Sequence, residues 1–380
     1  MKPTAHNRQY TEEEVLFLAL ELSSKKWKAG MTRGRGLKQR NKSLDAGDFA
    51  GLEIAISRAK KRFGFSPDTP VVCCYEAGRD GFWIHRRLER MGLRNIVIDP
   101  ASVDVKRKRR NKKTDRLDLA KLLKNLILWW EGDDSVWSVV RVPTVEDEDA
   151  RHFHRELAKL KGERTRHVAR IKSLLVLHGV RLQTVSGDFL SHLQEIRLDD
   201  GSSLPPQLRS RLEREYGRLS LVNEQISTLE KQRRNALAEA DDPRLDQVRK
   251  LMQLNGVAEN GSWLVVMEVF GWRKFTNRKQ VGSIVGLTPT PHSSGDLDKQ
   301  LAIDKAGITR VRAMMIQLAW CWVRHQPRSD ITLWFNERFA AGSRRHRRIG
   351  IVAVARKLLI AFWRYLEHDV VPAGAQLKQA

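Results

Sequence analysis

Two carboxylates three residues apart, Asp115 and Asp118, follow directly on a run of seven cations: Lys106, Arg107, Lys108, Arg109, Arg110, Lys112 and Lys113. If Thr114 caps a helix, both acids lie on one face of its first turn, where the helix dipole favours negative charge. Hard oxygen ligands beside a clamp for a polyanion are the parts that metal-assisted phosphodiester chemistry needs. The same letters equally describe a solvated basic loop ahead of an ordinary acid-capped helix. Two further acids, Glu21 and Glu76, close the apolar runs VLFLALE and VVCCYE. A carboxylate at a strand end is held by a fixed backbone, as a ligand to a shared metal must be.

The elements that would position these acids read as an α/β domain. Val15 to Leu22 predicts a buried strand, and SSKKWKAGM a second one reached by a tight turn. The Gly- and Arg-rich MTRGRGLKQRNKSLDAG predicts an exposed loop. Asp48 then caps a helix to about Phe63, VVCCYE is a strand, WIHRRLERMG an amphipathic helix and NIVID a strand. Asp45 and Asp48 could be proposed as substitutes for Glu21, but neither lies at a predicted strand end; Asp99 and Asp104 read as structural, a strand-end turn and a loop. From Val145 the texture becomes charged, Leu-rich and helical. One apolar stripe runs Leu157, Leu160, Arg164, His167, Ile171, Leu174; a second runs Leu208, Leu212, Glu215, Leu219, Val222, Ile226, Leu229, Arg233. They predict either an antiparallel or intermolecular coiled coil or two long helices packed on a globular body. Asp241, Asp242 and Pro243 end the second helix. Beyond them come two short helices around Gly256, a Gly- and Ser-rich loop VGLTPTPHSSGDLDKQ, a helix from Thr309 to about Arg324, the basic run SRRHRRIG and a final apolar helix. The tryptophans at helical positions, Trp320, Trp322, Trp334 and Trp363, read as core.

Composition narrows the partners. A formal net charge of +24 over 380 residues favours a polyanion, and nucleic acid before an anionic membrane. No apolar run approaches the roughly 20 residues that span a bilayer. The N-terminal MKPTAHNRQYTEEE lacks the apolar core of an export signal, so the expected location is cytoplasmic and nucleoid-associated. Three cysteines, Cys73, Cys74 and Cys321, form no zinc or disulfide framework.

YEAGRDGFWIHRRLERMG, NIVIDPASV, KRKRRNKKTDRLDLAKLL, VGLTPTPHSSG, IDKAGITRVRAMMIQLAW and IVAVARKLL, in this order, resemble the DEDD transposases of the "one-ten" insertion-sequence family, including its "eleven-eleven" branch. The resemblance implies an α/β N-terminal ribonuclease-H-like (RuvC-like) domain at 1–140, a long helical coiled-coil insertion at 141–240, and a mainly α C-terminal transposase domain at 241–380. It implies a metal set of Glu21, Glu76, Asp115 and Asp118, holding Mg²⁺ or Mn²⁺, two per site. Glu21 departs from the Asp usual in the family, adding a methylene. In SSG, the serine directly before glycine, Ser294, falls on the family's nucleophile, with Ser293 as the alternative; His292 is the nearest candidate base. The function implied is DNA transposition, with donor and target double-stranded DNA, a structured guide RNA, and a homodimer that pairs into a tetramer. The cationic run at 106–113 and Arg344, Arg345, Arg347 and Arg348 would then grip nucleic-acid backbones. The rival expectations are a water-using, metal-dependent junction resolvase or nuclease, and a non-catalytic nucleic-acid-binding protein.

Overall fold

A computed structural model of the chain describes residues 14–79, 81–103, 115–294, 297–305 and 307–378. The chain divides into two compact units, 1–143 and 144–380.

The first unit is built on a five-stranded sheet in the order β3-β2-β1-β4-β5. Strand β1 (Leu16–Glu21) is apolar on both faces and therefore central. It pairs antiparallel with β2 (Lys26–Thr32), which pairs antiparallel with β3 (Arg40–Asp45). On its other side it runs parallel to β4 (Val71–Glu76), which runs parallel to β5 (Arg94–Ile98). Helix α1 (Phe49–Phe63) starts where Asp48 accepts a 2.8 Å hydrogen bond from the Gly51 amide, and it ends at Gly64 in the left-handed conformation. With α2 (Trp83–Arg90) it covers one face of the sheet, over Leu16, Leu18, Leu20, Trp27, Cys73 and Tyr75. Helix α3 (Asp115–Trp130) covers the other, with Leu119, Leu122, Leu123, Leu126 and Ile127 against Phe17, Ala19, Val72 and Cys74.

One expectation fails here. The stretch read as a loop after Met31 contains β3, an edge strand that buries only Leu44. A strand with a single buried side chain shows no alternation to read.

The second unit opens with α4 (Val145–Val176), whose start is fixed by reciprocal hydrogen bonds between Thr144 and Asp147. Helix α5 (Phe189–Glu195) lies at the tip, and α6 (Pro206–Glu239) returns. Late positions of α4 (Ile171, Leu175) pack with early ones of α6 (Leu212, Leu219), and Leu157 and Leu160 with Val222 and Ile226. The pair is therefore an antiparallel hairpin within one chain. Asp242 caps α7 (Pro243–Met252), and a turn through left-handed Gly256 leads to α8 (Glu259–Val265), which continues into a π-helical turn, Val266–Phe270. Then follow α9 (Arg278–Ser283), strands β6 (Pro289–Ser294) and β7 (Leu297–Ile303), α10 (Thr309–His325), α11 (Asp330–Phe335) with a second π-helical turn (Asn336–Ala340), and α12 (Arg344–His368). The core joins α7, α8, α10 and α12 through Val248, Leu251, Val265, Trp322, Leu358 and Phe362.

Two further readings are corrected. The Gly- and Ser-rich stretch holds an antiparallel strand pair rather than a loop alone. The basic run SRRHRRIG is the first two turns of α12 itself, capped by Ser343, rather than a separate segment before it. Among the tryptophans, Trp322 is fully buried, whereas Trp320 is 46% exposed.

Candidate active site

Side chains alternate faces along a strand. In β1, Phe17 and Ala19 face α3, so Glu21 projects to the same side; in β4, Val72 and Cys74 face α3, so Glu76 does too. The parallel register that pairs Leu20 with Tyr75 brings Glu21 and Glu76 next to each other at the C-terminal ends of neighbouring strands. Glu21 is half-buried and Glu76 exposed.

Helix α3 runs back across this face. Its last residue, Trp130, lies 5.9 Å from the guanidinium of Arg94, which begins β5, so the helix ends at the far edge of the sheet and starts at the edge where Glu21 and Glu76 stand. In the middle, Leu123 Cδ1 is 3.2 Å from where a Cβ on Gly30 would sit, and Gly30 pairs with Ala19. From that level Asp118 is five residues up a helix, about 7.5 Å, and Glu21 two residues up a strand, about 7 Å, so the two lie at the same height. A Cβ on Gly30 would crowd Leu123 and Gln39 by a few tenths of an ångström, so the glycine marks a close approach of α3 to the sheet. Asp118 is half-buried in the first turn of α3. Asp115 is the first residue of the helix, in that same turn.

Three of the four predicted acids are thus brought to one edge and one face by their backbones, with Asp115 on the same helical turn. Among the described residues no three His, Cys, Asp or Glu side chains are close enough to hold one metal ion. The donor chemistry, carboxylate oxygen throughout, suits a hard divalent cation. Thr114 and the cationic run at 106–113 lie outside the described residues. Asp45 departs from its loop reading: it is the last residue of the edge strand β3, where it pairs with Lys26 at 2.6 Å. Asp48 caps α1 as read, and the Asp99 amide donates to Ser138 O at 2.9 Å.

Ser294 belongs to the second unit. It is the last residue of β6, opposite Leu297, with Ser293 opposite Asp298 and His292 opposite Lys299. Arg344, Arg345, Arg347 and Arg348 are all exposed on the first turns of α12. Cations at a helix N-terminus oppose its dipole, so their placement does nothing for the helix.

Residues 248–332, from α7 to α11 and including Ser294, match the family model described as "Transposase IS116/IS110/IS902 family". A putative transposase, y4rJ, of Sinorhizobium fredii is 39% identical over 376 residues, covering 96% of this chain and 95% of that protein. The chain belongs to the IS116/IS110/IS902 transposase family. The transposase for insertion sequence element IS1111A of Coxiella burnetii is 25% identical over 284 residues, 74% of each chain. That for IS1328 of Yersinia enterocolitica is 24% identical over 227 residues, 58% of this chain and 64% of its own. The resemblance read from the motifs is the relationship found, and transposases are enzymes that cut and rejoin DNA.

Sequence reasoning missed two buried charge networks of this transposase. Glu268, 2% exposed in the π-helical turn after α8, takes a bidentate pair of 2.9 Å bonds from Arg155, a 2.9 Å contact from His154 and a 3.4 Å ion pair from Arg310. Burial alone pushes its carboxyl up; the bonds from His154 and Arg155 and the Arg155 charge outweigh that and hold it down to about 2. The network fastens α4 and α10 to the π-helical turn. Its signal was a lone Glu inside the apolar run WLVVMEVFG. Glu215 is a second case: buried in α6, it is held by His167 at 2.7 Å and by Arg170 and Arg218 at 2.9 Å each. Burial raises its pKa, and these partners bring it below the ordinary value.

Proposed function

We propose that this transposase cuts and rejoins DNA at a centre made of Glu21, Glu76, Asp115 and Asp118, with Ser294 as the attacking group. The observation that carries the reading is that Glu21 and Glu76 end adjacent parallel strands on the face crossed by α3, whose first turn bears Asp115 and Asp118. The four carboxylates would hold Mg²⁺ or Mn²⁺, which supplies Lewis-acid stabilisation of charge at a phosphodiester. A sheet with this strand order and an acid-bearing helix on one face supports a ribonuclease-H-like (RuvC-like) assignment of the first unit.

In the reaction, the Ser294 hydroxyl oxygen forms a bond to phosphorus and the bond from phosphorus to the departing DNA end breaks. The serine proton is passed on, and the departing end leaves as an alcohol. The serine–DNA ester keeps the bond energy, so attack by a different strand end reverses the step and frees the serine without a nucleotide cofactor. The DNA backbone is held by the 106–113 run and by Arg344, Arg345, Arg347 and Arg348, whose opposition to the helix dipole supports a role in binding anions. A structured RNA guides target choice by base pairing. The protein acts as a dimer that pairs into a tetramer, with the serine of one protomer serving the carboxylates of another, and the α4–α6 hairpin extends as a coiled coil between protomers.

Recombination of a donor and a target plasmid tests the chemistry. Ser294→Ala abolishes strand exchange and the covalent protein–DNA adduct. Cleavage that survives Ser294→Ala would mean that water is the nucleophile.

A further inference from the structure

From Leu22 to Leu44 the chain holds eight lysines and arginines and no Asp or Glu. This stretch folds into β2 and β3, and β3 is the outermost strand of the sheet. Arg35 and Lys38 are exposed in the connection, Lys42 is exposed on β3, and Arg40, two residues before it, points to the same side, that of Leu44 and helices α1 and α2. None of these four has an ion-pair partner among the described residues; on this hairpin Lys26 has one, in Asp45. The hairpin also begins at the carboxylate edge: Lys28 is paired directly with Glu21 across the β1–β2 ladder, and it shares its face of the sheet. Strand β3 then runs beside β2 for six residues, about 20 Å, or about six phosphates of one duplex strand at 3.4 Å each.

We propose that this basic sheet edge binds the phosphate backbone of duplex DNA along the outer strand, on the side of α1 and α2, and so holds the duplex at the sheet whose opposite face carries Glu21 and Glu76. These residues are different ones from the 106–113 run and from Arg344, Arg345, Arg347 and Arg348. A row of unpaired cations with no acid interspersed is a polyanion's complement, whereas a soluble surface mixes both signs. Lysines on an outer strand also guard against edge-to-edge aggregation, so the test must separate the two roles. The inference rests on the reading of the carboxylate centre above.

The full chain carrying R35Q/K38Q/R40Q/K42Q, and separately K42Q alone, is titrated with a fluorescent duplex over a range of salt, with thermal melting as the check on folding. The fourfold variant binds at least about 10-fold more weakly at physiological salt, and its log K against log salt slope falls by about 0.9 for each phosphate that is no longer neutralised. K42Q moves the slope in the same direction by up to about 0.9. A control that removes equal charge from α6, R211Q/R214Q/K231Q/R234Q, leaves most of that slope in place. Unchanged affinity and slope in the hairpin variants, with or without aggregation, overturns the proposal. So does a reduced slope on a structured RNA of equal length with the duplex slope intact. Asp118→Asn keeps the failures apart: if it stops cleavage while the hairpin variants bind normally, only this inference falls, and if it cleaves normally the carboxylate centre itself falls.

Discussion

At the scale of single residues, Glu21 stands where the motif resemblance implies an aspartate. Its position at the end of β1, facing α3 beside Glu76, keeps a carboxylate at the edge with one extra methylene of reach. We expect Glu21→Gln to lower plasmid recombination by about 10²-fold or more, beyond the loss typical of an outer-shell partner. Glu21→Asp should retain a measurable share, and Glu21→Gln with full activity would remove Glu21 from the site. Glu268 makes a stability prediction. Its carboxyl lies at about 2 in the folded protein against an ordinary 4.5, so the folded pKa is depressed. The stabilisation is fully present above the unfolded value and is lost as pH falls through about 2, amounting to about 3 kcal/mol. Glu268→Gln removes the buried charge that Arg155 and His154 hold and should cost up to about 3 kcal/mol at neutral pH, since Arg155 is 39% exposed and stays solvated. Urea unfolding from pH 7 to pH 3 reads both: the wild type loses stability on acidification, and the variant starts lower and changes less.

At the scale of elements, the long helices rest on stripes that can be read directly from residue spacing. Leu175, fully buried against α6, should cost about 2–5 kcal/mol when replaced by Ala, with the loss seen as a lower denaturation midpoint of the second unit. Gly261 is a close-approach glycine: a Cβ there would come within 2.9 Å of Leu318, so Gly261→Val should overpack the α8–α10 contact and cost about 1–3 kcal/mol. The apolar strands β1, β4 and β5 were equally plain in the letters, as was the capped α1. The elements that escaped reading are those whose stability is not local. Strand β3 buries one side chain, and β6 carries Pro289 and Pro291 with a register shift between them, so pairing with a neighbour makes each of them a strand and no periodicity announces it. The Glu268 network escaped for a related reason: its partners come from α4 and α10, 113 residues away or 42 residues on, and only folding brings them together.

At the scale of the whole molecule, motif order singles out the acids of the first unit and Ser294 of the second, and the strand alternation supplies the physical reason that Glu21 and Glu76 share a face. If the serine of one protomer serves the carboxylates of another, mixing Asp118→Asn protein with Ser294→Ala protein should restore part of the recombination that each lacks alone. Two inactive proteins that stay inactive when mixed would argue for a site completed within one chain. High net charge predicts that binding weakens steeply with salt, and affinities compared at one salt concentration will understate the difference between variants. The central claim is that the edge bearing Glu21, Glu76, Asp115 and Asp118 performs the strand chemistry, and Asp118→Asn in a donor–target plasmid recombination assay tests it most directly. Recombinant product should fall by about 10²-fold or more while duplex binding and the melting midpoint stay at wild-type values; recombination at the wild-type rate would contradict the account.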